Sequence, residues 1–405
     1  MGNAASSEIK YIRKRKRKAF LSGLVYLLCR VFPVDRQKVV MWTFEGSGGY
    51  GCSPRYIAEE LLRRNREEGR QYKIVWLLND TGKQFPDGIK KVKSTLWSRA
   101  YQLSTARFWV SNTRTFYGAK KRKGTTYVQT WHGTLNLKPI GRQRGAALPK
   151  MAEIVSRHDS GMIDYVLSGS RWCTETWRDG LLYDGDILET GTPRCDVLFH
   201  GAAQKRVQMR EEYGLPADAK ILLYAPTFRG GSQSTDRSVS AEASTLDFAG
   251  VIGALEKRFG GAWYVLLRLH PQLAARMSGM PVGDIHDRLI DVSQRPDMNE
   301  IIAAGDAFIT DYSSAIFESL LMKQPSFIFA DDLHEYVADR GRLMFDLEEL
   351  PFPVAFDNAG LLQNILMFDL EQYEKDAGRF IEQAGIMEDG QASQRISDMM
   401  KKWSG

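Results

Sequence analysis

Cysteine is scarce in this chain of 405 residues: Cys29, Cys52, Cys173 and Cys195 are scattered, with no C-x-x-C pair. That spacing excludes the common zinc sites and a disulfide framework, and it fits a reducing compartment. Long apolar runs are missing as well. The segment AFLSGLVYLLCRVF (19–32) stays apolar or small for about 11 positions before Arg30, short of the roughly 20 that cross a bilayer. No small-x-small cleavage site precedes Pro33 and Asp35, which argues against a signal peptide. Most of the chain also lacks net charge. Residues 1–18 carry seven bases and one acid, a net +6 that equals the whole chain's, so 48 bases and 48 acids remain elsewhere. A nucleic-acid enzyme spreads positive charge over its folded body, so no nucleic-acid partner is expected.

What is present describes a globular protein, 43% hydrophobic and 26% charged, long enough for two domains. The basic block Arg13 to Lys18 stops where the apolar run starts. Residues 1–36 therefore read as a membrane-association segment: bases on an anionic membrane surface, with Phe20, Leu24, Leu27, Leu28, Val31 and Phe32 dipping into it. The opening MGNAAS matches the myristoylation pattern, but that pattern is loose and the match reads as a coincidence.

From residue 38 short apolar runs alternate with helical patterns. KVVMWTF (38–44), YKIVWLL (72–78), ARFWVSN (106–112), TYVQTW (126–131) and DYVLSGS (164–170) read as strands, with helices at 54–66 and 171–179. A second series reads KILLYAPT (220–227), AWYVLLRLH (262–270), DRLIDVS (287–293), DAFITD (306–311) and PSFIFA (325–330), with helices at 246–259, 297–304 and 313–323. Such alternation implies parallel sheets covered by helices, an α/β class with two Rossmann-like domains facing across a cleft. The expected boundaries are 37–200 for the first domain, 201–390 for the second and 391–405 for a C-terminal helix, with a mobile loop at 230–244.

Doubly wound sheets bind ligands at the carboxyl ends of their strands. Those ends read FEGSGGYG (44–51), WHGT (131–134) and GTPRCD (191–196) in the first series, and APTFR (225–229), RLHP (268–271) and TDYSS (310–314) in the second. His132 and His270 each end a strand, where imidazole serves as a general base or a phosphate donor; His158, His200, His286 and His334 read as surface or structural. Ser313 and Ser314 stand where a strand hands over to a helix, which suits either a helix cap or a bound anion. Arg194, Arg229 and Arg268 suit phosphates or neighbouring carboxylates alike. The adjacent acids Asp331 and Asp332 suit a surface loop or a metal. The glycine-rich FEGSGGYG has neither a P-loop ending nor G-x-G-x-x-G spacing.

TWHGT, LYAPTFR, LLRLHP and ITDYSSAIFES, in this order, with GTPRCD and EYVADRG around them, resemble the CDP-glycerol glycerophosphotransferase family of teichoic acid and capsule synthesis over residues 38–355. The resemblance implies a GT-B-like fold, with 37–200 as the acceptor domain and 201–390 as the CDP-donor domain, and a peripheral protein on the cytoplasmic face of the bacterial cell membrane. It implies transfer of glycerol phosphate from CDP-glycerol, or of a related polyol phosphate from CDP-ribitol, to a lipid-linked saccharide or teichoic acid acceptor, releasing CMP. By the same resemblance His132 is the general base, while His270, Ser313, Ser314 and Arg229 stabilise charge. Thr310, Arg268, Thr227, Lys138, Glu45, Arg194 and Asp196 complete the expected substrate-binding set, with Asp311 orienting its loop. No metal ligands and no obligatory cofactor are expected, and a divalent cation is left open. The chain departs from the family pattern at Leu135 and Asn136, at Ser53-Pro54 and at Phe352. The alternatives are a GT-B glycosyltransferase using a nucleotide sugar, with Glu318 on its ribose, and a non-catalytic nucleotide-binding scaffold.

Overall fold

The computed structural model describes residues 2–227, 245–269 and 283–403. The expected loop at 230–244 lies outside them. Two parallel sheets form the frame. The first has seven strands: β1 (Asp35–Trp42), β2 (Lys73–Leu78), β3 (Ile89–Lys93), β4 (Ala106–Ser111), β5 (Thr126–Gln129), β6 (Tyr165–Ser168) and β7 (Asp186–Glu189). They lie in the order β3-β2-β1-β4-β5-β6-β7, with every pair parallel. The second sheet has six: β8 (Lys220–Tyr224), β9 (Trp263–Leu267), β10 (Leu289–Asp291), β11 (Ala307–Thr310), β12 (Ser326–Phe329) and β13 (Val354–Ala355). Their order is β10-β9-β8-β11-β12-β13, again all parallel. Both are doubly wound, so each reverses its winding between the first strand and the fourth.

Burial on both faces explains why the central strands are continuous apolar runs. Val39 to Trp42 of β1, Ile74 to Leu78 of β2 and all four residues of β11 and β12 are buried. The strands absent from the expected series are the short and polar ones: β3 (IKKVK), β7 (DILE) and the two-residue β13. At a sheet edge, polar and basic residues are tolerated and discourage further pairing.

The chain divides into two compact units, one comprising 1–132, 140–196 and 387–405, the other 133–139 and 197–386. The division thus differs from the expected boundaries at both ends. The C-terminal helix Ala392–Trp403 is no separate element, because Ile396 and Met400 join Val39, Ile57, Leu61, Trp76 and Phe108 in the core of the first unit. The loop 133–139 belongs by its packing to the second unit, although the strand that feeds it is in the first.

The basic block lies within a helix, Gly2–Leu28. Ala19, Gly23, Tyr26 and Cys29 recur at helical spacing and are buried. Tyr26 is held from Arg99 Nε to its hydroxyl at 3.2 Å and from Ser104 Oγ to its carbonyl at 3.2 Å. The other face leaves Phe20, Leu24, Leu27 and Leu28 exposed, and Val31 and Phe32 just beyond the helix are exposed as well. Among the described residues no helix is long and apolar enough to cross a membrane.

Candidate active site

In the first unit the winding reverses between β1 and β4, and the loops leaving those strands are stitched together. Phe44 N–H donates to Asn112 Oδ1 at 3.0 Å, and Glu45 N–H to Thr113 Oγ1 at 3.2 Å. The glycine-rich loop after β1 turns so tightly that a Cβ on Gly48 would lie 2.3 Å from Thr43 Oγ1. Glycine is therefore needed there by the loop itself. Its carbonyls at Ser47 and Gly48 accept from Lys83 Nζ, at 2.6 and 3.1 Å, so these groups engage a cation.

His132 follows β5. Its Nδ1 lies 2.7 Å from the Asn112 carbonyl oxygen. A carbonyl only accepts, so Nδ1 carries the proton and neutral His132 keeps a lone pair on Nε2. Burial pushes its pKa down to about 4; the Asn112 bond opposes the shift, and the Arg194 and Arg114 guanidinium groups add to it. The imidazole is neutral at physiological pH and able to take a proton. Arg194, buried in the turn Pro193–Cys195, donates from Nη1 to the His132 carbonyl at 2.8 Å.

The residue before His132 is held just as firmly. Trp131 has φ +50°, a left-handed conformation that a bulky residue adopts only when its surroundings impose it. Gln129 Oε1 accepts from Trp131 N–H at 3.0 Å. Gln129 Nε2 in turn donates to the Thr113 carbonyl at 2.9 Å and to the Tyr127 hydroxyl at 3.0 Å, and that hydroxyl donates to Asp159 Oδ1 at 3.1 Å. Asp159 also accepts from Thr115 N–H at 2.8 Å. Burial raises its pKa to about 6, against the pull of the Thr115 N–H and the Arg114 charge. Asn112, Arg114, Gln129, Trp131 and Asp159 were not among the expected site residues. ARFWVSN does end in Asn112 at a strand terminus, and the same inspection of strand ends that picked His132 would have found it.

In the second unit the corresponding reversal lies between β8 and β11, and there the motif residues fasten the loops. Thr310, fully buried, donates its hydroxyl to the Ala225 carbonyl at 2.6 Å. Both carboxylate oxygens of Asp311 accept from Thr227 N–H, at 2.8 and 2.9 Å. Arg268 turns to the strand beside it and donates to the Val292 carbonyl at 3.0 Å and to that of Ser293 at 2.5 Å. Ser313 and Ser314 precede the helix, which spans Ile316–Leu321 rather than 313–323, and Ala315 caps it without a side-chain bond. Neither serine is therefore the cap. Ser313 Oγ accepts from Ala315 N–H at 3.3 Å and Ser314 Oγ from Leu137 N–H at 2.9 Å, and both residues are half-buried. With a lone pair occupied, each hydroxyl proton remains to be donated.

The segment 133–139 is tied into the same place. Thr134 N–H donates to Glu318 Oε1 at 3.2 Å, Met344 N–H to the Leu137 carbonyl at 2.9 Å, and Lys138 Nζ lies 3.5 Å from Thr227 Oγ1. Glu318 is fully buried, and its Oε1 holds the backbone of Thr134. The Tyr312 hydroxyl donates to Asp332 at 2.9 Å, and Asp331 accepts from Thr245.

The structure thus groups Arg194 with His132 in the first unit, and Thr227, Asp311, Lys138 and Ser314 in the second. Glu45 is exposed on the β1 loop, with φ +55°. Asp196 is engaged elsewhere: its carboxylate accepts from Ala392 and Ser393 N–H, at 3.1 and 2.8 Å, at the start of the C-terminal helix. His270 and Arg229 lie outside the described residues. Among the described residues no three potential metal ligands cluster.

A family model for CDP-glycerol:poly(glycerophosphate) glycerophosphotransferase matches residues 24–402. A teichoic acid poly(glycerol phosphate) polymerase of Staphylococcus epidermidis is 33% identical over 91% of this chain and 51% of its own length. A teichoic acid glycerol-phosphate transferase of Staphylococcus aureus is 31% identical over 73% of this chain and 76% of its own. A solved structure of the wall teichoic acid polymerase TagF superposes with a TM-score of 0.79 at 27% identity, covering 98% of both chains. This chain spans about half the length of the poly(glycerol phosphate) polymerases of S. epidermidis and Bacillus subtilis.

Proposed function

The chain belongs to the CDP-glycerol:poly(glycerophosphate) glycerophosphotransferase family, and on that premise we propose that it transfers glycerol phosphate, or a related polyol phosphate, from CDP-glycerol or CDP-ribitol to a hydroxyl of a lipid-linked saccharide or teichoic acid acceptor. The observation that carries this reading is His132, with Nδ1 anchored on the Asn112 carbonyl and Nε2 left as the basic atom. The acceptor oxygen forms a bond to the β-phosphorus while that phosphorus loses its bond to the oxygen bridging to CMP. The acceptor proton goes to His132 Nε2, and CMP leaves with the bridging electron pair. The Ser313 and Ser314 hydroxyls donate to the pyrophosphate, with Thr227 and Lys138 beside them. His270 and Arg229 supply further donors in this reading. A divalent cation from solution is the alternative source of charge neutralisation, and loss of turnover in a chelator would identify it. A solved TagF structure described as a histidine variant soaked with CDPG supports the choice of donor.

We also infer that the protein works at the cytoplasmic face of the bacterial membrane as a peripheral protein. Support comes from the helix Gly2–Leu28, whose basic block Arg13 to Lys18 precedes an exposed apolar face at Phe20, Leu24, Leu27 and Leu28. Vesicles with anionic lipid should pull the protein down and neutral ones should not; equal recovery with both would end this reading.

The decisive assay gives the purified protein CDP-glycerol or CDP-ribitol with a lipid-linked disaccharide acceptor, and follows CMP release beside product mass. The expected result is CMP together with a product heavier by one or more polyol phosphates. No CMP from either donor, with an acceptor proven competent in a second enzyme, would overturn the proposal.

A further inference from the structure

Among the described residues two aromatic rings touch the imidazole of His132. Trp131 lies 4.4 Å away and is buried, whereas Phe44 lies 5.7 Å away, inclined at 60°, and is 42% exposed. A single ring in solvent needs no explanation by itself. This one is held where it stands.

Phe44 and Glu45 have φ +45° and +55°, and Gly46 follows at +86°, so three residues in succession are left-handed. Glycine takes that conformation freely, while phenylalanine and glutamate do so only where their surroundings impose it. Here Asn112 Oδ1 and Thr113 Oγ1 accept from their N–H groups, and the Phe44 carbonyl accepts from Ser47 Oγ at 2.5 Å and from Ser47 N–H at 3.0 Å. The ring also lies against its own loop, since a Cβ on Gly48 would come 3.0 Å from Phe44 Cδ2. Glycine at position 44 would relieve the strain, so keeping a large ring there points to a use for the ring.

The face of an aromatic ring is electron-rich; it attracts C–H groups polarised by neighbouring oxygens and repels an anion. A polyhydroxyl unit, whether a sugar or an open-chain polyol, offers such carbon-bound hydrogens and carries its hydroxyls around them. Glu45, next in the chain and exposed, adds a carboxylate that accepts from hydroxyls and is a poor neighbour for phosphate.

We propose that Phe44 determines which hydroxyl of the acceptor reacts: its ring packs on the carbon face of the terminal polyhydroxyl unit and so sets one hydroxyl against His132. The inference rests on the transfer reaction proposed above and adds to it what selects the attacking oxygen.

The test uses two acceptors, a lipid-linked disaccharide and the same molecule carrying one glycerol phosphate, with the wild type, Phe44→Tyr, Phe44→Ala and Phe44→Gly. Phe44→Ala should raise KM for at least one acceptor roughly tenfold or more, the scale of burying one aromatic ring. The acceptor affected identifies the unit on the ring, sugar or open polyol. KM for CDP-glycerol should stay within about threefold of wild type, and Phe44→Tyr, which keeps the face, should do so for both acceptors. Where the wild type gives one positional isomer of the new phosphodiester, Phe44→Ala should give two or more, read by phosphorus–proton NMR. Phe44→Gly should resist denaturant at least as well as Phe44→Ala, because glycine relieves the strain, yet lose the acceptor as fully. Unchanged acceptor KM, a raised donor KM instead, a single isomer from Phe44→Ala, or activity that follows stability across the variants would each overturn the proposal. A second arm needs no turnover: calorimetric binding of short-chain, water-soluble analogues of both acceptors. If no protein releases CMP but an analogue binds wild type and fails to bind Phe44→Ala, the reaction reading fails and the contact with Phe44 stands. Equal binding to both proteins removes it.

Discussion

Both sheets wind outward from their first strand and reverse beside their fourth, yet their carboxyl edges use side chains in opposite ways. At the edge of the first unit, buried groups hold backbone so that a few side chains are left with something to offer: Gln129 and Asp159 fix the segments that carry His132 and Arg114. At the edge of the second unit, Thr310, Asp311 and Arg268 turn inward and bind the loops themselves. Among the described residues, two serine hydroxyls and a lysine remain beside those loops. In the reaction proposed above, the first edge supplies the chemistry at a side chain and the second holds the donor against a preset loop.

His132→Ala should separate the two edges most strongly. If the first edge supplies the base and the second the donor site, turnover should fall about 10² to 10⁴-fold, the usual contribution of general base catalysis. Affinity for CDP-glycerol, read by calorimetry, should stay near wild type. Joint loss of binding and turnover would mean that His132 serves the donor. Asp311→Ala tests the other edge. It leaves the N–H groups of Thr227 and Tyr312 without their carboxylate, at a cost of roughly 2–3 kcal/mol. Nucleotide affinity should fall with it, while the pH dependence of His132 stays unchanged. Donor affinity equal to wild type would show that the Thr227 loop is not part of the donor site.

The central strands and the strand-end motifs were legible in the sequence because burial on both faces forces long β-branched and aromatic runs. Edge strands such as β3 were not, since IKKVK carries no such constraint. His132 was legible as a histidine ending a strand. Its supports were harder to see, because Gln129 and Asp159 are ordinary polar residues whose importance comes from burial at 1% and 3% exposure. What Thr310 and Asp196 hold in the fold was not legible either: one binds the Ala225 carbonyl and the other the start of the C-terminal helix.

Gln129→Leu sharpens the account of the first edge with a smaller effect. It leaves Trp131 N–H without its acceptor and the Tyr127 hydroxyl without one of its bonds, a loss of about 2 kcal/mol in unfolding free energy. If Trp131 needs that bond to stay left-handed, kcat should drop several-fold more than the stability loss explains at a temperature where the variant is fully folded. Full activity in a folded variant would separate His132 from the network behind it.

The smallest effect concerns two groups of that network whose titrations oppose each other. Asp159 has its folded pKa raised to about 6 from 3.8, so its contribution to stability is complete below the unfolded value and is lost as pH rises through 6. His132 has its folded pKa lowered to about 4 from 6.5, so its contribution is complete above 6.5 and is lost as pH falls through 4. Between pH 4 and 6.5 the two slopes run against each other, and the wild type should show a nearly flat dependence from this pair. Asp159→Asn keeps an oxygen for Thr115 N–H and removes one slope, so its stability should rise with pH across that window, by on the order of 2 kcal/mol. His132→Gln leaves the slope of Asp159, so its stability should fall with pH across that window by at least as much, because the carboxyl is almost fully buried while solvent weakens the slope of the half-buried imidazole. Denaturant midpoints at pH 4.5 and 6.5 measure both; slopes of the same sign would show that the buried carboxyl and the imidazole are not held as described.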